Sequence, residues 1–465
     1  MRCEQRGPRR YPKYMLPLLL IVAAIPDWVP ARWHSADVKS LQLLNETPIN
    51  CLLLERTEWS AGFAKAAKER GIATLGVVRP GADALEQARK PTTLGLDGVV
   101  LEGDFESSVV KALQDSKIPT IELPSRAGMR FSDTSTLVYG SHQGLWPGIQ
   151  VEENGSAKSA PSGAPWIDTN TGFLRFVRAA TDKPVWIANV PPANMVIPVQ
   201  RYIQAIGDAA ITGSHWVLAL DGDFNKRLLA REPGALADWK RIGGALSFYE
   251  SHKEWRSMHP HGQLALIQDA DSGALLSGSV LDMIAVKNAP VQPVPTAKLK
   301  VEAMKDAKMA VDVDPQALSP AQKDVLKAFT RAGGTLLSAP PGWTFPMPKD
   351  GSITVAKDDF KKLDEIWKEV NGMVGHTNLG ARLFNVSSML STLVAPAEGK
   401  QVVLQLVNYS DFPVESITAH VLGTYKHARL YVPGAEPKDL AVYEVEGGTG
   451  VDIDKLDVIG SIILE

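Results

Sequence analysis

Between residues 49 and 255, short apolar runs alternate with stretches of helical period, and this alternation constrains the fold of the 465-residue chain more than any other feature. Asn50–Leu54, Ala73–Val78, Val99–Glu102, Thr120–Leu123, Leu137–Gly140, Val185–Val190 and His215–Leu220 read as strands. Their near-continuous apolar character is that of parallel strands buried on both faces. Phe63–Arg70, Ser108–Gln114, Gly172–Ala180, Val199–Ile211 and Ala235–Trp255 read as helices. Seven strands are close to the eight of a (β/α)8 TIM barrel, and the missing one is expected either near Trp28-Val29-Pro30 or at Leu264–Gln268. The choice decides whether Val99–Glu102 is the third or the fourth strand.

Residues 25–260 are assigned to this barrel domain, 261–375 to a second α/β domain and 376–465 to a third. In the second, the strands Leu264–Asp269, Val291–Val294, Met309–Val313 and Thr335–Ser338 alternate with helices at 275–288 and 321–332, a small flavodoxin-like, doubly wound sheet. Ser319-Pro320 supplies a cap and an N1 proline to the latter helix, and Gly333-Gly334 stops it. A helix at 364–370 marks the exit. Beyond Asn378 the period falls to two, and Gln401–Val407, Ser416–Leu422, Ala428–Tyr431, Ala441–Tyr443 and Ile459–Leu464 read as an antiparallel β-sandwich.

Arg6, Arg9, Arg10 and Lys13 precede the apolar segment Met15–Ile25, which reads as a signal peptide cleaved after Ala24. The segment is too short to span a bilayer comfortably, so no stable membrane insertion is expected after cleavage. Cleavage removes Cys3 and leaves Cys51 alone in an apolar strand, which excludes a disulfide framework. With 49 basic and 52 acidic residues the chain lacks the field that nucleic-acid binding requires.

The order of barrel, flavodoxin-like domain and β-sandwich, with Ala332-Gly333-Gly334-Thr335-Leu336-Leu337 in the second and Val407-Asn408-Tyr409-Ser410 in the third, resembles the β-galactosidase-like glycoside hydrolases of clan A type. In those enzymes a TIM barrel is followed by a glutamine-amidotransferase-like domain and a small β domain. The resemblance implies carbohydrate as the partner, a periplasmic or extracellular location, and a homo-oligomer held through the middle domain. It also implies one glutamate after the fourth strand and another after the seventh. Amidotransfer needs a cysteine paired with histidine, and no cysteine follows Cys51, so glutaminase chemistry is excluded.

Glycoside cleavage needs one protonated carboxyl group to donate to the leaving oxygen and a second carboxylate as nucleophile or base. On a barrel both belong at the carboxyl ends of strands. Glu102, Glu122 and Asp221 stand at or near such ends and are the catalytic candidates, with Glu102 as proton donor and Asp221 as its partner. With a first strand near Trp28, Glu102 ends the fourth strand and the seventh closes on Asn189. With Asn50–Leu54 first, Glu122 lies on the fourth strand and Asp221 follows the seventh. No asparagine precedes Glu102 or Glu122, where the family carries an Asn-Glu dipeptide.

Asp104, Trp146, Trp166, Asp168, Trp186 and Asn189 are the candidate substrate-binding residues, the indoles because they stack on sugar faces; core packing is the other role open to them. No metal is expected, because His259-Pro260-His261 has no carboxylate or cysteine at ligand spacing. A Walker loop, a Gly-x-Ser-x-Gly elbow and a His-Glu-x-x-His helix are all absent from the sequence, and no cofactor is expected. The rival to a hydrolase is a non-catalytic carbohydrate-binding or cell-envelope scaffold protein.

Overall fold

Eight short parallel strands curl into the barrel: Pro30–Arg32, Cys51–Leu54, Ala73–Val78, Gly98–Glu102, Thr120–Leu123, Tyr139–Ser141, Val185–Ala188 and His215–Val217. The computed structural model describes residues 27–131, 137–151, 157–159, 169–270, 290–339, 353, 360–386 and 388–465. The first five strands form one sheet in sequence order and the last three another. One seam is closed by hydrogen bonds from the Arg32 amide to the Leu218 carbonyl, 2.7 Å, and from the Leu218 amide to the Pro30 carbonyl, 3.1 Å. At the other, the His142 amide donates to the Pro124 carbonyl at 3.2 Å. The missing strand is therefore the one beside Trp28. Leu264–Gln268 belongs to the next domain, which corrects the alternative register.

Side chains alternate across a strand, and inward residues of six strands, with Trp28 ahead of the first and Val138 ahead of the sixth, form one cluster that includes Leu53, Val77, Val100, Ile121, Trp186 and Val217. The outward set, among them Leu52, Leu54, Ile187 and Trp216, packs under the helices. The helix Ala61–Lys68 illustrates the local logic. Ser60 caps it by accepting from the Phe63 amide, Phe63, Ala64 and Ala67 face the barrel, and Gly71 ends the turn at a φ of +73°.

The second domain is a four-stranded parallel sheet in which Leu264–Gln268 lies between Val291–Pro295 and Met309–Asp312, with Thr335–Ser338 at the edge. The expected cap of the helix Pro320–Arg331 is a full capping box, Ser319 with Gln322. The helix expected at 275–288 lies outside the described residues. In the third domain a six-stranded and a four-stranded antiparallel sheet enclose a core of Leu383, Leu404, Ile417, Val451 and Ile462 among others. Ala381–Phe384, Met389–Ala395 and Gly448–Leu456 are strands beyond those read from the sequence. His259–Pro260 pairs with Val394 and Ala395 at the edge of the larger sheet.

Candidate functional site

Four charged side chains close a ring at the carboxyl ends of the first four barrel strands. Arg32 and Glu102 end the first and fourth strands, and Glu55 and Arg79 follow the second and third by one position. Each continues the inward row of its strand by two residues, after Leu53, Val77 and Val100 in the last three cases. Apolar packing below thus fixes all four at the mouth.

Arg32 donates through one terminal nitrogen to Glu55 Oε1 and through the other to Glu102 Oε1. Arg79 donates to both oxygens of Glu55, at 2.7 and 2.8 Å, and to Glu102 Oε2 at 2.8 Å. The signs alternate around the ring, and every carboxylate oxygen in it accepts from a guanidinium. The Arg32 side chain is 1% exposed and that of Arg79 is 52% exposed. So deep a guanidinium requires compensating carboxylates, and Arg32 has two. Burial pushes the Glu55 carboxyl up, but Arg79 and Arg32 outweigh it and hold the group below the usual carboxylate range. Glu55, joined by Glu102, raises the Arg79 guanidinium in turn. Burial lowers His34, just past Arg32, and Arg32 adds to the effect.

The other sequence candidates are scattered. Glu122 lies between Ile121 and Leu123, both inward, so its side chain is on the helix-facing side of the fifth strand; a mouth position for it is corrected by the strand's alternation. Asp221 follows the eighth strand but caps the helix Gly222–Leu229. One of its oxygens accepts from the Phe224 amide at 2.9 Å, and the other from the Ile197 amide at 3.1 Å and the Tyr202 hydroxyl at 2.8 Å. Its expected pairing with Glu102 gives way to this structural use.

Trp146 is buried against Trp216 and Tyr202, and Trp186 lies inside the barrel 6.4 Å from Trp28, so neither indole presents a platform. Asn189 follows the seventh strand and donates to the Gly144 carbonyl at 2.6 Å. Asp104 is exposed and accepts from the Ser125 amide at 2.9 Å. Trp166 and Asp168 lie outside the described residues.

Arg32, Glu55 and Arg79 were not among the candidates read from the sequence. A signal for them exists: the four ring residues are 23, 24 and 23 positions apart, one βα unit each, and each stands where an apolar run ends.

Neither a family model nor a curated protein sequence matches the chain. Among solved structures it is similar to α-L-fucosidase isoenzyme 2 from Paenibacillus thiaminolyticus, at 11% identity and a TM-score of 0.60 over 94% of this chain and 99% of that one. It is also similar to the β-galactosidase from the psychrophilic Marinomonas ef1, at 10% identity and a TM-score of 0.54 over 94% and 100%. A third is the GH42 β-galactosidase Gan42B from G. stearothermophilus, at 9% identity and a TM-score of 0.54 over 94% and 98%. The chain has a glycoside-hydrolase-like TIM-barrel fold followed by further α/β and β domains.

Proposed function

We propose that the protein binds a carbohydrate at its barrel mouth and does not hydrolyse it through paired carboxylates. The observation that carries this reading is the engagement of both oxygens of Glu102, by Arg32 and Arg79, with Glu55 held by the same two guanidiniums. A glycosidase acid must turn a protonated oxygen to the leaving group. Here all four oxygens accept charge-assisted hydrogen bonds. Arg79, half exposed, is the ring member that offers donors to a ligand's hydroxyl groups. The fucosidase and β-galactosidase likenesses support carbohydrate as the ligand class. The segment from Arg6 to Ala24 supports export to the periplasm or beyond, and no described helix is long and apolar enough to cross a membrane. The middle domain is taken as amidotransferase-like in fold, without its nucleophile.

One placement favours the hydrolase reading: Glu102 points inward at the end of the fourth strand, where the family resemblance puts a proton donor, and Glu55 is a second carboxylate in the same ring. Two measurements separate the readings. Incubation with a panel of aryl glycosides and polysaccharides is expected to release no sugar. Titration calorimetry with the same glycans is expected to find binding that Glu102→Gln alters by less than about threefold. Turnover that Glu102→Gln abolishes while binding persists would overturn the proposal.

A further inference from the structure

At the end of the barrel opposite the mouth lies a cavity of about 780 Å³, within the range of small-molecule sites. It opens where the seventh and eighth strands begin, at Pro184 and His215, and all three domains wall it, the second through Pro293 to Lys298 and the third through Thr392 and Val394. Its lining carries three arginines and two lysines against two aspartates, and Lys253 is already paired with Asp27 at 3.3 Å.

Of the remaining cations, Arg256 is paired with Glu250, Arg175 donates to the Ser391 carbonyl and the Thr392 hydroxyl, and Arg178 is the poorly matched one. Arg178 donates to the carbonyls of Lys183 and Arg256, both at 3.0 Å, so the bonds from its terminal nitrogens go to neutral oxygens. Burial holds its guanidinium below the ordinary value; Asp182 opposes that shift and Arg256 adds to it. The His215 side chain, nine-tenths buried, makes no hydrogen bond through Nε2, and Glu250 Oε1 stands 3.5 Å away. Lys298 is exposed on the second domain's side. A guanidinium and an ammonium that line one cavity are groups that recognise oxyanions, and Trp255 and Pro293 supply apolar wall for a ligand's body.

We infer that this three-domain cavity binds a small ligand bearing an oxyanion, a phosphate or carboxylate on a body of about monosaccharide size. Its charged group sits between Arg178 and Lys298. The site is separate from the mouth and its occupant draws the three domains together.

Titration calorimetry on the full chain with glucose 6-phosphate, glucuronate and glucose tests it. At least one of the two sugar anions is expected to bind with a dissociation constant between about 1 μM and 1 mM, weakening as salt rises, while glucose does not bind there. Arg178→Gln is expected to weaken the anion about tenfold or more, and Lys298→Glu by a comparable factor. Because Arg178 is buried, its variant is first checked by circular dichroism; should it not fold, the exposed Lys298→Glu decides alone. Failure of both anions to bind the wild type, or affinity unchanged in Lys298→Glu, overturns the inference.

Discussion

Arg32 is the residue on which the mouth turns, since it is almost wholly buried and its compensation comes from the ends of the second and fourth strands. The pH dependence of this compensation has a definite sign. Glu55 is held below its ordinary value of 4.5, so its contribution to stability is complete above about pH 4.5 and is lost as pH falls through the lower folded value. Glu55→Gln leaves Arg32 with one carboxylate and is expected to cost about 2 kcal/mol near neutrality, discounted from the cost of breaking a fully buried pair because Glu55 is partly exposed. The variant should also lose less stability than the wild type on acidification. Urea unfolding from about pH 3 to pH 7 checks both, and equal acid slopes for the two proteins would count against the ring. Glu102 was legible in the sequence because an acid closing an apolar run is a local pattern. Its partners were not, because the pairing depends on the register of neighbouring strands, a property of the closed sheet rather than of any one segment.

Among elements, the eighth strand and the helix after it show how one carboxylate admits two readings. Asp221-Gly222-Asp223 at the end of an apolar run looks like a strand opening into a turn with acids at the mouth. In the fold Asp221 is an N-cap that also satisfies the Ile197 amide and the Tyr202 hydroxyl. Asp221→Ala should therefore destabilise the protein by about 2 to 3 kcal/mol, a lost cap plus buried donors left unpaired. Asp221→Asn, which keeps a capping oxygen, should cost less than half of that. Thermal unfolding gives the costs, and glycan affinity should be the same in the folded Asn variant; a loss of affinity without a loss of stability would return Asp221 to the site. Seven barrel strands were legible as buried apolar runs. The first was legible only as one of two alternatives, because Pro30–Arg32 opens on a proline and ends on a charged residue and so shows no apolar run of its own. Gly448–Leu456 runs through glycines at 448 and 450, which carry no side chain to mark a period of two.

At the scale of the molecule, the order of three domains was legible, but the barrel and the β-sandwich, besides their own cores, share an apolar layer. Leu390, Val403, Val407, Tyr409 and Ile459 of the larger sheet join the same apolar cluster as the barrel's helices. The contacts that join them span long stretches of chain, such as Tyr409 to Asp208 at 2.7 Å across 201 positions and Arg175 to Thr392 at 2.9 Å across 217, so no local pattern announces them. The helix Val199–Ala210 carries the junction, and Gly207 sets how close it lies. A Cβ there would stand 2.6 Å from the Ile459 Cγ2 and 3.1 Å from the Val407 Cγ2. Gly207→Val must therefore push helix and sheet apart, at a cost of about 1 to 3 kcal/mol. Because this layer is shared, the loss should fall on both domains together. Tryptophan fluorescence, dominated by the barrel, and far-ultraviolet dichroism should report one coincident transition in the wild type and one, at lower temperature, in the variant. A sandwich that melts apart from the barrel in the wild type would show that the shared cluster does not couple them, and the cavity beneath the barrel would then lack the fixed walls its ligand requires.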